Sequence, residues 1–150
     1  MKTQILDRYI FRGKRMDSGK WVEGVLCYDL DDEHVYMACP DLFYEDRFKA
    51  GLVGLVIHVY NEVNPSTIGQ CTGLEDINGE LIYEGDICKD TENKIFVIYW
   101  CEKTYRWMCV YKSNYHIPRY QGDLPLLHWN SSGNKLTIMG NIYDNIDLFH

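Results

Sequence analysis

No apolar run in the sequence approaches the ~20 residues of a membrane-spanning helix, so none is expected. Six cysteines are present (27, 39, 71, 88, 101 and 109), yet no C-x-x-C pair occurs, which removes the zinc-knuckle reading. Met1 to Leu6 lacks the apolar core of a signal peptide, so a secreted disulfide framework is not expected either. The thiols are therefore read as free, in a reducing cytoplasm, and the Asn130-Ser131-Ser132 glycosylation match has no consequence. Basic residues are also in the minority. Fifteen Lys and Arg against 22 Asp and Glu leave a net charge of −7, which argues against a general polyanion binder.

What remains is ordinary in amount and unusual in kind. A chain of 150 residues has the common size of one domain, and burying roughly two-thirds of its extended surface gives it a sizeable core. Hydrophobic residues at 46% and charged residues at 25% mark a globular protein and exclude wholesale disorder. Twelve Tyr and four Trp stand out, because such side chains favour half-buried pleated surfaces and binding faces alike. Charge is unevenly spread. Residues 1–20 carry Lys2, Arg8, Arg12, Lys14, Arg15 and Lys20, whereas Asp29 to Asp46 holds seven acids and no base. Two solvated faces that pair with each other are favoured over a nucleic-acid arm.

Taken in order, the chain reads as short extended segments. Arg8–Arg15 and Trp21–Tyr28 form a hairpin whose turn, Asp17-Ser18-Gly19, needs a positive φ at the glycine. A loop over Asp29–Glu33 leads to a strand over His34–Cys39. Pro40–Ala50 reads as a short helix, with proline early and Gly51 as a stop. Leu52–Val63 is a β-branched run expected to form a central strand. Lys94–Cys101 and Tyr105–Lys112 make a second hairpin, tipped by Glu102-Lys103-Thr104. Both alternate sets of residues 95–100 are apolar, so that strand is covered on both faces or meets another subunit. Ser113–Asn134 is an irregular connection, Lys135–Tyr143 a closing strand, and Asn145–Phe149 a last helical turn.

The middle of the chain, Pro65–Lys89, holds four of the twelve glycines, and positions 69, 73, 79 and 85 are expected to be corners where extended segments reverse. Asn78-Gly79 is the strongest turn signal, of the kind a type I′ hairpin uses, and Gly85 permits a sharp bend between Glu84 and Asp86. The fold class that follows is mainly β, either all-β or α+β with one short helix.

These residues also carry a family resemblance. Pro65-Ser-Thr-Ile-Gly-Gln-Cys-Thr-Gly-Leu-Glu-Asp-Ile-Asn-Gly-Glu-Leu-Ile-Tyr-Glu-Gly-Asp-Ile87, with Met139-Gly-Asn-Ile-Tyr-Asp144 much later, resembles the signature of the YopX family of phage and prophage proteins. Arg8-Tyr-Ile-Phe-Arg-Gly-Lys14 suits the family's opening, and Cys71 stands where an aromatic residue is common. The segments along the chain make an N-terminal β region over residues 1–64, with a short helix near 40–50. The resemblance implies a mostly β protein whose carboxyl-terminal half, residues 65–150, is a small SH3-like roll, and the two regions are expected to form one compact structural unit. The resemblance brings no catalytic residues to carry over, and implies a bacterial or prophage-encoded cytoplasmic protein.

Chemical motifs were tested against the same residues. Gly13–Lys20 fails as a phosphate loop because Trp21 stands where the magnesium-ligating Ser or Thr belongs. Asp29–His34 fails as a calcium loop, with His34 in place of the required glycine. Glu84 and Asp86 form an acid–base pair only if they project together, and the glycine between them favours a turn whose carboxylates bond nearby backbone. His58 and His128 have no partner at ligand spacing, and Cys71 is better read as a buried thiol than a nucleophile. No catalytic, cofactor-binding or metal residue is assigned, and no cofactor is expected. The favoured function is a non-catalytic interaction module, binding a protein partner or its own copies through an aromatic surface at Trp100, Tyr105 and Trp107. The alternative is single-strand nucleic-acid binding through Arg8, Arg12, Lys14 and Arg15, and a hydrolase-type enzyme is the outsider.

Overall fold

A computed structural model describes residues 8–28, 34–38, 60–111, 124–126 and 136–148. Eleven strands take up most of them, with two single turns of 3-10 helix at Pro65–Thr67 and Ile146–Leu148. The class is mainly β, as the residue pattern implies. The expected helix over Pro40–Ala50 and the loop over Asp29–Glu33 lie outside the described residues. The chain divides into two compact units, Met1–Cys71 and Thr72–His150.

The first unit contains β1 (Phe11–Lys14), β2 (Trp21–Tyr28), β3 (Val35–Ala38), β4 (Tyr60–Val63) and the start of β5 (Gly69–Glu75). Of the long strand expected over Leu52–Val63, the described part is β4 alone. β1 and β2 pair antiparallel as the hairpin reading requires, Lys14 opposite Trp21 and Phe11 opposite Gly24. Gly19 closes the turn with φ +67°.

β2 is eight residues long because it serves two partners: residues 21–24 pair with β1 and residues 25–28 with β3. Gly24 sits at the changeover, where a Cβ would collide with the carbonyl of Ala38, so only glycine lets the strands approach this closely. β1 divides its other edge as well. Phe11 and Arg12 pair with β5, while Arg15 bridges to Val63 of β4. Met16 N–H donates to the Glu62 carbonyl (3.0 Å) and Asn64 N–H to the Lys14 carbonyl (2.8 Å), so the sheet curls until β4 reaches the end of β1. Val35, Met37 and Val63 are buried inside this curl, with Phe11, Val22, Leu26 and Ile68 against them.

The second unit holds the rest of β5, then β6 (Leu81–Tyr83), β7 (Asp86–Lys89), β8 (Ile95–Cys101), β9 (Arg106–Tyr111), β10 (Leu124–Pro125) and β11 (Thr137–Asn141). The last five make a sheet in the order β10-β9-β8-β7-β11. β8 is its centre and is buried on both faces by its own chain. Phe96 and Ile98 join Ile82, Cys88, Cys109, Leu126 and Leu136 on one side, and Val97 and Tyr99 join Ile87, Met108 and Val110 on the other. A strand apolar on both alternations needs this double cover.

The glycines behave less uniformly than their spacing implies. Gly79 and Gly85 are corners, both with φ +83°, but Gly69 and Gly73 lie inside β5. Gly73 takes φ +76° within the strand, a local kink in place of a reversal. The turn at Asn78-Gly79 is also not type I′, since Gly79 alone is left-handed there. The Asp76 carbonyl accepts from Gly79 N–H (3.1 Å) and Asp76 N–H donates to the Glu80 carbonyl (2.8 Å). That is a type I turn followed by a left-handed glycine.

The reason is Asp76. Its Oδ1 accepts from the N–H of Asn78 (2.7 Å) and Glu80 (3.1 Å), which fixes Asn78 in a right-handed conformation. Its Oδ2 accepts from Ile138 N–H at the start of β11 (3.1 Å) and from Asn78 Nδ2 (3.3 Å). Ile77 N–H donates to the Leu136 carbonyl beside it. A carboxylate 3% exposed thus clamps the β5–β6 loop to a strand about sixty residues onward. A second contact follows at Gly85, whose carbonyl accepts from Ile142 N–H and whose Cβ position is filled by Tyr143 at 3.1 Å. Gly140 leaves room for Asn145, with Asn145 Cγ 2.7 Å from where a Cβ would stand.

Burial pushes the Asp76 carboxyl up, but the N–H bonds from Ile138, Glu80 and Asn78 outweigh it and hold the group below its ordinary value of 3.8. A depressed native value gives stability that is complete above 3.8 and lost as pH falls through the native value. Acid titration followed by tryptophan fluorescence should show this loss, and Asp76→Asn should flatten it. At neutral pH, Asp76→Ala removes the shared acceptor of the Asn78, Glu80 and Ile138 N–H groups and should cost about 2–4 kcal/mol in urea unfolding.

Candidate functional site

The β8–β9 hairpin brings the three expected aromatic residues to one end of the second unit. Its register sets Trp100 directly opposite Trp107, one pair before the last, Cys101 opposite Arg106. The two indoles meet edge to face, with centroids 5.1 Å apart. Trp107 packs against the buried cluster around Ile98 and Cys109, whereas Trp100 is 38% exposed. Every other residue from Phe96 to Cys101 is buried. The apolar ladder Phe96–Ile98–Trp100 therefore runs out of the core into solvent at its last rung.

Tyr105 lies beyond it, in the turn where the sequence pattern places the start of a strand. Thr104 N–H donates to the Cys101 carbonyl (3.3 Å), and Tyr105 completes the loop with φ +49° and 80% of its surface exposed. The other described hairpin loops close the same way, on Gly19, Gly79 and Asn93, at φ +67°, +83° and +63°. Asp90 even repeats the Asp76 arrangement, accepting from Glu92 and Lys94 N–H at 2.8 Å each. Glycine and asparagine suit that conformation and a bulky aromatic does not. Tyr105 is the exception in a set of four, and it is the most exposed large apolar side chain among the described residues.

The expected basic surface is only partly assembled. Arg12 and Lys14 alternate with Phe11 and Gly13, so both face away from the core of the first unit. Both lie over the ring of Trp21, at 5.0 Å and 5.4 Å from its centroid. Arg15 turns to Asp17, donating through Nε (2.9 Å) and a terminal nitrogen (2.5 Å). That bond holds the Asp17 carboxyl below its ordinary value. Arg8 contributes its carbonyl to Gln70 Nε2. The sequence reading did not single out Trp21, although the Arg15–Lys20 turn fixes it opposite Lys14.

An open cleft of about 390 Å³ in the first unit is lined by Arg15, Met16, Asp17, Tyr60, Asn61 and Glu62. Its carboxylates are engaged, Asp17 by Arg15 and Glu62 by His34 Nδ1 at 2.7 Å. Glu84 and Asp86 bond backbone, as a turn demands. Asp86 Oδ2 accepts from Tyr83 N–H (2.8 Å) and Glu84 Oε1 from Trp100 N–H (3.4 Å). Cys71, Cys88, Cys101 and Cys109 are buried and in no disulfide, and Cys27 is half-buried. His58 and His128 lie outside the described residues. Among the described residues no three His, Cys, Asp or Glu side chains gather where a metal ion would bind. No described helix is long and apolar enough to cross a membrane.

A hairpin clamped at Asp76 to a late Met-Gly-Asn strand spans both halves of the signature quoted above, and the family comparison agrees. The model of the YopX protein family matches residues 10–150, and the chain belongs to that family. Comparison with curated proteins gives no match.

The Tyr105 conformation makes a measurable statement. Replacing a residue strained at positive φ by glycine should stabilise the unit, so Tyr105→Gly should raise its unfolding free energy by about 1 kcal/mol in urea titration. A loss of stability would show that the ring is held by packing.

Proposed function

We propose that this YopX-family chain is a non-catalytic interaction protein, acting in the cytoplasm of a bacterial host that carries a phage or prophage. It binds a protein partner, a second copy of itself included, through the end of the β8–β9 hairpin. The observation that carries this reading is Tyr105. A tyrosine occupies a corner that its three sibling loops give to glycine or asparagine, and it is 80% exposed there. Strained, exposed aromatics at loop tips are what recognition surfaces use, since large rigid rings add contact area with little ordering entropy. Trp100, exposed beside Trp107 on the same hairpin, adds a second apolar ring at its end.

Sedimentation over a range of concentrations, with capture from the native host, tests the proposal. Wild-type protein should self-associate or retain a defined partner, and Trp100→Glu and Tyr105→Gly should each weaken that at least about tenfold while remaining folded. Unchanged association in both variants would end the reading.

A second reading rests on Arg12 and Lys14 flanking Trp21, a pairing of cations and ring that single-strand binders also use. It makes oligonucleotide binding fall steeply with salt and disappear in Arg12→Glu with Lys14→Glu. No mobility shift at low salt would remove it.

A further inference from the structure

We propose that Asn78 is a covalent modification site: it deamidates through attack by the Gly79 nitrogen, and the Asp76 clamp keeps that reaction closed while the chain is folded. Asn78-Gly79 is the only Asn-Gly step in the sequence, and the loop over residues 77–80 is exposed to solvent. Because Gly79 has no Cβ, its nitrogen can approach a neighbouring carbonyl carbon without steric opposition. In the reaction the Gly79 nitrogen bonds to Asn78 Cγ and gives up its proton. Nδ2 leaves with that proton as ammonia, and a five-membered succinimide remains. Water then opens the ring at either carbonyl, giving aspartate or isoaspartate. No oxidant or reductant is involved, and solvent supplies the water.

In the folded chain both reacting groups are tied. The nucleophile is occupied, since Gly79 N–H donates to the Asp76 carbonyl at 3.1 Å. The departing amide is held as well, with Asn78 Nδ2 donating to Asp76 Oδ2 at 3.3 Å. The Asn78 backbone is pinned by its own N–H on Asp76 Oδ1 at 2.7 Å. One residue thus restrains nucleophile, leaving group and the chain between them.

The product bears on the fold. Aspartate at 78 brings a second negative charge beside the buried Asp76 carboxylate. Isoaspartate adds a backbone atom to a three-residue loop, so the bond from Asp76 N–H to the Glu80 carbonyl can no longer form in register. A chain that opens long enough to react cannot rebuild the clamp, and the modification becomes a one-way record of opening.

The test uses the full chain at neutral pH, warm, with peptide mass spectrometry reading a gain of one mass unit at Asn78. Modification should be at least about tenfold slower in native buffer than in urea, the factor that two backbone-type hydrogen bonds supply together. Across intermediate urea the rate should follow the unfolded fraction measured by circular dichroism. Asp76→Ala, where its strand signal is intact, should lose the protection in native buffer. Asn93, followed by Lys94 in the matching Asp90 loop, should stay unmodified throughout. Equal native and unfolded rates, an unreactive Asn78 in urea, or a folded Asp76→Ala that keeps full protection would each overturn the proposal. If Asp76→Ala does not fold, the urea series on the wild type decides.

Discussion

The second unit depends on one buried carboxylate with no cation beside it in its hydrogen bonding. Asp76 is held by N–H groups alone, three from the backbone and one from Asn78. Such an arrangement is stable because the donors are already fixed by the loop and by β11, so little reorganisation is needed to solvate the charge. Its geometry is also selective. A carbonyl side chain could satisfy some of the four donors, but only a carboxylate presents two acceptor oxygens, one turned to the loop and one to the distant strand. The Gly85 and Gly140 contacts then follow along the same seam, where small residues let Tyr143 and Asn145 fill space that a Cβ would occupy.

Around that clamp the chain uses one device repeatedly. Among the described residues four hairpin loops close on a left-handed residue, and two of them, at Asp76 and Asp90, share the same pair of carboxylate contacts to backbone N–H groups. Repetition makes departure informative. Gly19, Gly79 and Asn93 relieve the backbone, while Tyr105 places a large ring at the same kind of corner. Stability and surface chemistry pull in opposite directions at that position, a conflict common at functional sites.

Much of this was legible in the residues. Runs of β-branched and aromatic residues between turn signals located β2, β3, β8 and β9 to within about a residue at each end, because such side chains suit a pleated, half-buried surface. For β8, apolar residues on both alternations left cover on both faces or contact with another subunit as the choices, and the chain itself supplies the cover. The turn type at Asn78-Gly79 was not, because the dipeptide favours type I′ until Asp76 captures the Asn78 and Glu80 N–H groups, and Asp76 is itself held in place by Ile138. Gly73 was misread as a corner for a related reason, since a glycine marks a left-handed residue without saying whether the chain reverses or merely kinks. At the aromatic site, Trp100 and Trp107 followed from hairpin register, while the strain at Tyr105 shows only when the four loops are compared in three dimensions. The cations on Trp21 needed the register of the first hairpin as well as its charge.

The divided edge of β1 has a consequence for how the amino-terminal unit assembles. Its hairpin with β2 is local, but its remaining edge waits for Val63, Gly69 and Gln70, which lie about fifty to sixty residues later. Closing so long a loop costs entropy before any contact repays it, and barrels dominated by distant pairings gather slowly for that reason. On a ribosome, Arg12 and Arg15 are translated long before the strands that complete their ladder, so Val63 and Ile68 must emerge before Met37 can be sealed from water.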